Sequence, residues 1–88
     1  MSYELRLKGS ARKEFMRLPA EVRGEVSEKL DLLEQNPRPD GAEALAGPLK
    51  GLLLVRVGKH RIVYQVDDEG RRITVTRIRH RSKVYRSA

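Results

Sequence analysis

The chain has no cysteine and no tryptophan, and only one phenylalanine and three tyrosines. Without cysteine there is no disulfide framework and no thiolate zinc site. No apolar run approaches the roughly eighteen residues of a membrane-spanning helix, so no membrane role is expected. The N-terminal stretch MSYELRLKGS lacks an apolar signal segment, and the expected location is the cytoplasm. At 88 residues the chain suits one domain with a single modest core. Acidic residues are scarce in one region only. Residues 1–48 carry eight Lys/Arg and nine Asp/Glu, and residues 49–88 carry eleven and three, so the whole excess of +7 lies in the second part. A charge-balanced front and a basic back argue for a face that meets a polyanion. Nucleic acid comes first, an acidic protein partner second, and a basic surface that is merely solvated is the plain alternative.

What is present centres on Leu52 to Val66, LLLVRVGKHRIVYQV. It reads as two strands around Gly58-Lys59, with glycine where a two-residue type II′ turn needs it. That turn sets Val57 opposite His60, Arg56 opposite Arg61, Val55 opposite Ile62, Leu54 opposite Val63 and Leu53 opposite Tyr64. Side chains alternate between faces. Leu53, Val55, Val57, Ile62, Tyr64 and Val66 form a core face. Leu52, Leu54, Arg56, Arg61, Val63 and Gln65 form the other. Two arginines directly opposite each other repel, so the pair Arg56–Arg61 suggests an anion between them, against the plainer reading of two solvated charges at a hairpin end.

The remaining chain supplies the frame. Ser2 to Leu7 alternates as a half-buried strand. Ser10 is the expected N-cap of a short helix with Ala11, Phe15 and Leu18 on one face. Pro19 suits the start of a second helix, whose stripe is Val22, Val26, Leu30 and Leu33. Its glutamates read as a solvated face. Residues 36–41 are a loop rich in breakers. Ala42 to Leu49 is expected to hold a helical turn before Gly47-Pro48, with Leu45 and Leu49 pinning the loop. Asp67-Asp68-Glu69-Gly70 reads as turn chemistry, not as a metal site. Arg72 to Ile78 then alternates. A turn at Glu69-Gly70 pairs Val66 with Ile73 and Tyr64 with Val75. Carried onward, that parity puts Thr74, Thr76, Ile78 and His80 on the face of Arg56 and Arg61. The chain closes with Arg77, Arg79, Arg81, Lys83 and Arg86 around Val84-Tyr85, basic residues beside an aromatic that suit phosphate contact and base stacking.

These stretches resemble the RelE/ParE toxin superfamily of type II toxin–antitoxin pairs. The resemblance is carried by Tyr3 to Leu7 with Ala11-Arg12-Lys13, by Leu18-Pro19, and by Leu33 to Pro37. It continues through Leu45 with Gly47, Leu54 to Gly58, His60 to Tyr64, and Ile78-Arg79-His80-Arg81 with Val84-Tyr85. It spans essentially the whole length, as one domain over residues 1–88. The fold it implies is α+β: a small twisted antiparallel sheet with the 11–35 helical hairpin on one face. Leu5, Phe15, Leu18, Val22, Leu30, Val55, Ile62, Tyr64 and Val75 are expected in the core.

The activity it implies is cleavage of mRNA in the ribosomal decoding site, by attack of a ribose 2′-OH on the adjacent phosphate, with no metal or other cofactor. By resemblance, Arg61 holds the scissile phosphate. Arg81, or Arg79 before it, holds the phosphate or leaving group, and Tyr85 stacks on the nucleotide. Lys50, Arg56, Lys59, Arg79 and Lys83 are further expected phosphate contacts. In the best-studied RelE branch two lysines stand on the first hairpin strand; here those positions are Leu52 and Leu54, which move no proton. His80, on the arginine face by parity and of a residue type whose unperturbed pKa suits proton transfer, is the expected replacement, ahead of His60, Lys50 and Tyr85. The implied partners are a small antitoxin, the ribosome with its mRNA, and operator DNA only through the antitoxin complex. Two alternatives stay open: a ParE-like inhibitor of DNA gyrase without nuclease activity, and a degenerate toxin that only binds its antitoxin.

Overall fold

A computed structural model describes residues 2–83 of the chain. The elements are β1 (Glu4–Leu7), α1 (Gly9–Arg17), α2 (Ala20–Gln35), β2 (Glu43–Ala44), a 3-10 turn (Gly47–Leu49), β3 (Leu53–Val57), β4 (His60–Asp67) and β5 (Arg72–His80). The strands form one sheet in the order β1-β5-β4-β3-β2.

The α+β class and the helical hairpin on one sheet face are as expected. The sheet, however, is mixed: β1 runs parallel to β5, whereas the other three pairings are antiparallel. The cause is the chain path. β1 leads into two helices that carry the chain from one sheet edge to the other. No hairpin therefore ties β1 to β5, and parallel neighbours require such a crossover.

The central hairpin has the expected register at all five pairs from Leu53↔Tyr64 to Val57↔His60. Gly58 takes a φ of 57°, while Lys59 stays out of the left-handed region, as a type II′ turn requires. The α2 stripe buries Val26, Leu30 and Leu33 against the sheet residues Val55, Ile62, Tyr64, Ile73 and Val75. Each such side chain contributes on the order of 1.5–3 kcal/mol by leaving water. Tyr64 is fully buried, and its hydroxyl donates to the Pro37 carbonyl at 2.6 Å, which fixes the loop after α2. Leu5, Phe15, Leu18 and Val22 are half-buried, because they pack around the rim of this core.

Three local expectations change. Ser10 does not cap α1. Lys8 is the N-cap, and the Ser10 hydroxyl donates to the Thr76 carbonyl at 3.2 Å. The free rim of β5 offers that acceptor beyond the short strand β1, and the hydroxyl takes it. Between Ala42 and Leu49 the helical turn comes only at Gly47–Leu49, after a two-residue strand. β3 needs partners on its outer side, and Glu43, Ala44 and then Leu45 supply them; Leu45 N–H donates to the Leu52 carbonyl at 3.0 Å.

The third change matters most. β5 pairs Val66↔Ile73 and Tyr64↔Val75 as expected, and then Val63 pairs with Arg77. Thr76 is the extra residue of a bulge. Its hydroxyl donates to the Val63 carbonyl at 3.1 Å and so fills the gap in the ladder. Past a bulge every side chain changes face. Ile78 therefore turns into the core, almost wholly buried, instead of facing outward.

The turn after β4 is structural, as expected. Gly70 N–H donates to Asp67, and Asp68 accepts two bonds from the Arg38 guanidinium at 3.0 Å and one from the Tyr3 hydroxyl at 2.7 Å. The guanidinium, then that hydroxyl, hold the Asp68 carboxyl below the usual carboxylate range. Among the described residues no three His, Asp or Glu side chains gather as metal ligands. No described helix is long and apolar enough to cross a membrane.

Candidate functional site

The sheet face turned away from the helices carries the arginines. Arg56 on β3 lies opposite Arg61 on β4, and Arg61 lies opposite Arg79 on β5. Cross-strand neighbours stand about 5 Å apart at Cβ, so this is one row of three cations across three strands. The bulge at Thr76 completes it. Without the bulge, Arg79 would point toward the helices.

The two flanking cations have carboxylate partners. Arg56 pairs with Glu43 of the edge strand at 3.2 Å. Arg79 pairs with Glu14 of α1, and Arg77 reaches the same carboxylate at 3.6 Å. Glu14 also accepts the Ile78 N–H at 2.9 Å, on the stretch of β5 that β1 does not cover. Arg61 differs. Its guanidinium donates to the carbonyls of Gly58 and His60, at 3.1 and 2.9 Å, and among the described residues it pairs with no carboxylate. Backbone carbonyls orient a guanidinium without cancelling its charge. The half-buried Arg61 is thus a fixed cation in the middle of the row.

Below the row lies a small second core. Leu54 and Val63 are fully buried, with Leu45 and Leu52 packed over them. The face opposite the helices is therefore apolar beside its arginines.

The expected site residues fall into distinct groups. Arg56, Arg61 and Arg79 come together. Lys59 sits in the hairpin turn beside them, and Arg81 N–H donates to its carbonyl at 2.8 Å, which brings Arg81 to the same end of the sheet. Lys50 does not join them: it ends the 3-10 turn, at the far end of β3 from the hairpin. Lys83 follows β5, its N–H on the His80 carbonyl at 2.9 Å. Tyr85 lies outside the described residues.

His80 is misplaced by the parity argument. The bulge turns it to the helix side, where it lies opposite His60. The two rings meet edge to face at 5.6 Å. His80 Nδ1 accepts the Ser82 N–H at 3.2 Å. Together with Glu14, Arg17, Leu18, Arg79 and Lys83, the two histidines line an open groove of about 480 Å³ beside the α1–α2 junction, so Arg79 reaches the rim between the two faces. Burial first, then the neighbouring His80 and Arg61, hold His60 below the ordinary imidazole value of 6.5. His60 is on the core side, as its parity indicates.

A family model described as the ParE toxin of the type II toxin–antitoxin system parDE matches residues 5–85. The chain belongs to the RelE/ParE toxin superfamily. It is a toxin of the type II toxin–antitoxin class. The toxin is 31% identical to Toxin RelG of Mycobacterium tuberculosis over 98% of its own length and 99% of that protein. Its fold matches a chain in the crystal structure of the RelBE2 toxin–antitoxin complex of the same organism, with a TM-score of 0.83, 27% identity, and coverage of 91% of this chain and 99% of that one. It also matches the isolated RelE toxin of E. coli, with a TM-score of 0.78, 28% identity, and coverage of 96% and 92%.

Glu14 is the residue that sequence reading passed over. One signal was available: it is the sole acid in α1, among Arg12, Lys13 and Arg17. That pattern singles out one carboxylate inside a basic element, but not its partners 63 to 65 residues away.

Proposed function

We propose that this toxin is a ribosome-dependent mRNA endoribonuclease. The observation that carries the reading is the row Arg56–Arg61–Arg79, with an oriented Arg61 that no carboxylate among the described residues neutralises. A single-stranded RNA laid on this face meets cations at the spacing of neighbouring strands. In the reaction the ribose 2′ oxygen attacks the adjacent phosphorus, and the bond to the 5′ oxygen breaks. The phosphorane that forms between these events gains negative charge. Preorganised cations stabilise it more than they stabilise the ground state. Arg61 takes the scissile phosphate. Arg81, held near the hairpin turn, takes the leaving side, and Tyr85 stacks on the base. Lys59 and Lys83 add flanking charge.

Both arginines stay protonated, so they supply electrostatics and not proton transfer. His80 lies on the opposite face, Lys50 at the far end of β3, and Leu52 and Leu54 in the lysine positions; His60 is near enough to Arg61 to feel its charge but faces the core side. The 2′ proton then goes to a base that the ribosome brings, the leaving 5′ oxygen takes its proton from an acid that the ribosome brings, and the proposed activity depends on the ribosome for both. A small antitoxin with an acidic or amphipathic segment covers the basic face and silences it. The M. tuberculosis chain of similar fold was solved as a toxin–antitoxin complex, which supports that partner.

The buried Leu54 favours a second reading, in which the same fold poisons DNA gyrase in the manner of ParE-like members. One paired assay decides. Purified toxin is added to ribosomes programmed with mRNA, and cleavage is read by primer extension; supercoiling by gyrase is followed in parallel. Cleavage without gyrase inhibition supports the proposal. No cut at any codon, with gyrase inhibited, replaces it.

A further inference from the structure

We propose that a second groove on the arginine face is a subsite for a neighbouring nucleotide of the RNA, and that Gln65 reads its base. The inference rests on the nuclease reading above. The groove holds about 330 Å³ and is lined by Lys8, Ser10, Leu52, Gln65, Thr76 and Arg77. It crosses the sheet from the end of β1, over β5 and β4, to the start of β3. Most of its polar groups are already engaged. The Ser10 hydroxyl donates to the Thr76 carbonyl, the Thr76 hydroxyl donates to the Val63 carbonyl, and Arg77 pairs with Glu14. Two side chains remain. Among the described residues, the Lys8 ammonium has no ion pair and the exposed Gln65 amide no hydrogen bond. Half-buried Leu52 supplies an apolar surface at the end of the groove beyond Gln65.

A cation, an amide with both donor and acceptor, and an apolar surface in one groove match the three parts of a nucleotide. Lys8 takes the phosphate as a point charge. The amide pairs with the base edge, and Leu52 receives the base face. Single-stranded RNA is read in this way, by splayed bases that expose their edges. Gln65 lies four residues along β4 from Arg61 and on the same face, about 13 Å away at the usual rise per residue. The base in the groove therefore belongs to a flanking nucleotide and not to the cleaved one, and the subsite sets sequence preference at that flanking position.

The test has two arms. In the first, the 15N-labelled toxin is titrated with short single-stranded RNAs carrying 2′-O-methyl groups, which cannot be cleaved. Amide shifts at Gln65 and Leu52 as well as around Arg61 are expected. Lys8→Ala should reduce the slope of log affinity against log salt by about 0.7, the share of one phosphate on a single strand. Shifts around Arg61 alone, with the salt slope unchanged in Lys8→Ala, overturn the subsite and leave the nuclease reading standing. No shifts at either place overturn the subsite, while the nuclease reading is decided by the ribosome assay above. In the second arm, cut sites are mapped across a transcriptome with ribosomes. Gln65→Ala should reduce discrimination at one flanking base by about tenfold, the worth of one good base-edge pair, whereas Arg61→Ala should lower every site alike. An unchanged flanking preference in Gln65→Ala overturns the proposal.

Discussion

The two faces of the sheet bury side chains of the same kind for different ends. On the helix side, Ile62, Tyr64, Ile73, Val75 and Ile78 meet Val26, Leu30 and Leu33, and the cluster is continuous. On the other side, among the described residues, only Leu54 and Val63 are buried, under Leu45 and Leu52, and arginines occupy the next row. The first face holds the fold together. The second supports a charged surface while leaving it open. A cation held on a stiff strand does not need to be ordered again when an anion arrives, which is the condition for electrostatic catalysis.

The largest expected effect separates the faces by activity. Arg61→Ala should lower mRNA cleavage by two to three orders of magnitude, since one preorganised cation is commonly worth about 3–4 kcal/mol in the transition state. Its thermal midpoint should stay near that of the parent protein. An Arg61→Ala toxin that cuts at the parent rate would remove the arginine face from the mechanism.

Next comes the helix-side core. Leu33→Ala should cost about 2–5 kcal/mol in urea unfolding, the usual range for a fully buried leucine. Leu54→Ala, equally buried on the other face, should fall at the lower end of that range, because its small cluster lies beside solvent and can collapse. Equal losses would mean that the second cluster is as tightly packed as the first.

Glu14→Ala joins the two faces. It leaves the Ile78 N–H without its acceptor and releases Arg77 and Arg79. A loss of about 1–3 kcal/mol is expected from the orphaned donor, together with tighter binding of single-stranded RNA. Weaker binding would show that Glu14 serves the site by aiming Arg79 and not by restraining its charge. His80→Ala should leave the cleavage rate and its pH profile as they are, since the ring faces the helix side. A lost pH dependence would return His80 to the mechanism.

The smallest effect is in pH. His60 titrates below the ordinary value in the folded chain. Just under pH 6.5 the unfolded chain therefore binds more protons than the folded one. Stability should fall as pH drops through that window and level off once the folded value is passed. His60→Gln should flatten the fall in urea midpoint between about pH 7.5 and about pH 5.5. The same slope in His60→Gln would assign it to another group.

Much of this was legible in the amino-acid sequence. The hairpin register followed from Gly58 and the alternation around it, because a two-residue turn leaves one way to pair the strands. The helical stripe followed from Val26, Leu30 and Leu33 at helical spacing. The family followed from the block around Arg61 and the basic C-terminal stretch. These are local patterns, set by backbone geometry within a few residues. What only the tertiary structure decided is the bulge at Thr76. The step of three from Val75 to Ile78 hints at it, but a bulge exists only where a partner strand gives it a place. Here the Val63 carbonyl and the Ser10 hydroxyl hold it from two sides. That one residue moved His80 away from the arginines and moved Arg79 among them. The capture of Arg77 and Arg79 by Glu14 was equally hidden, since no local pattern relates an acid on α1 to a strand end more than sixty residues later.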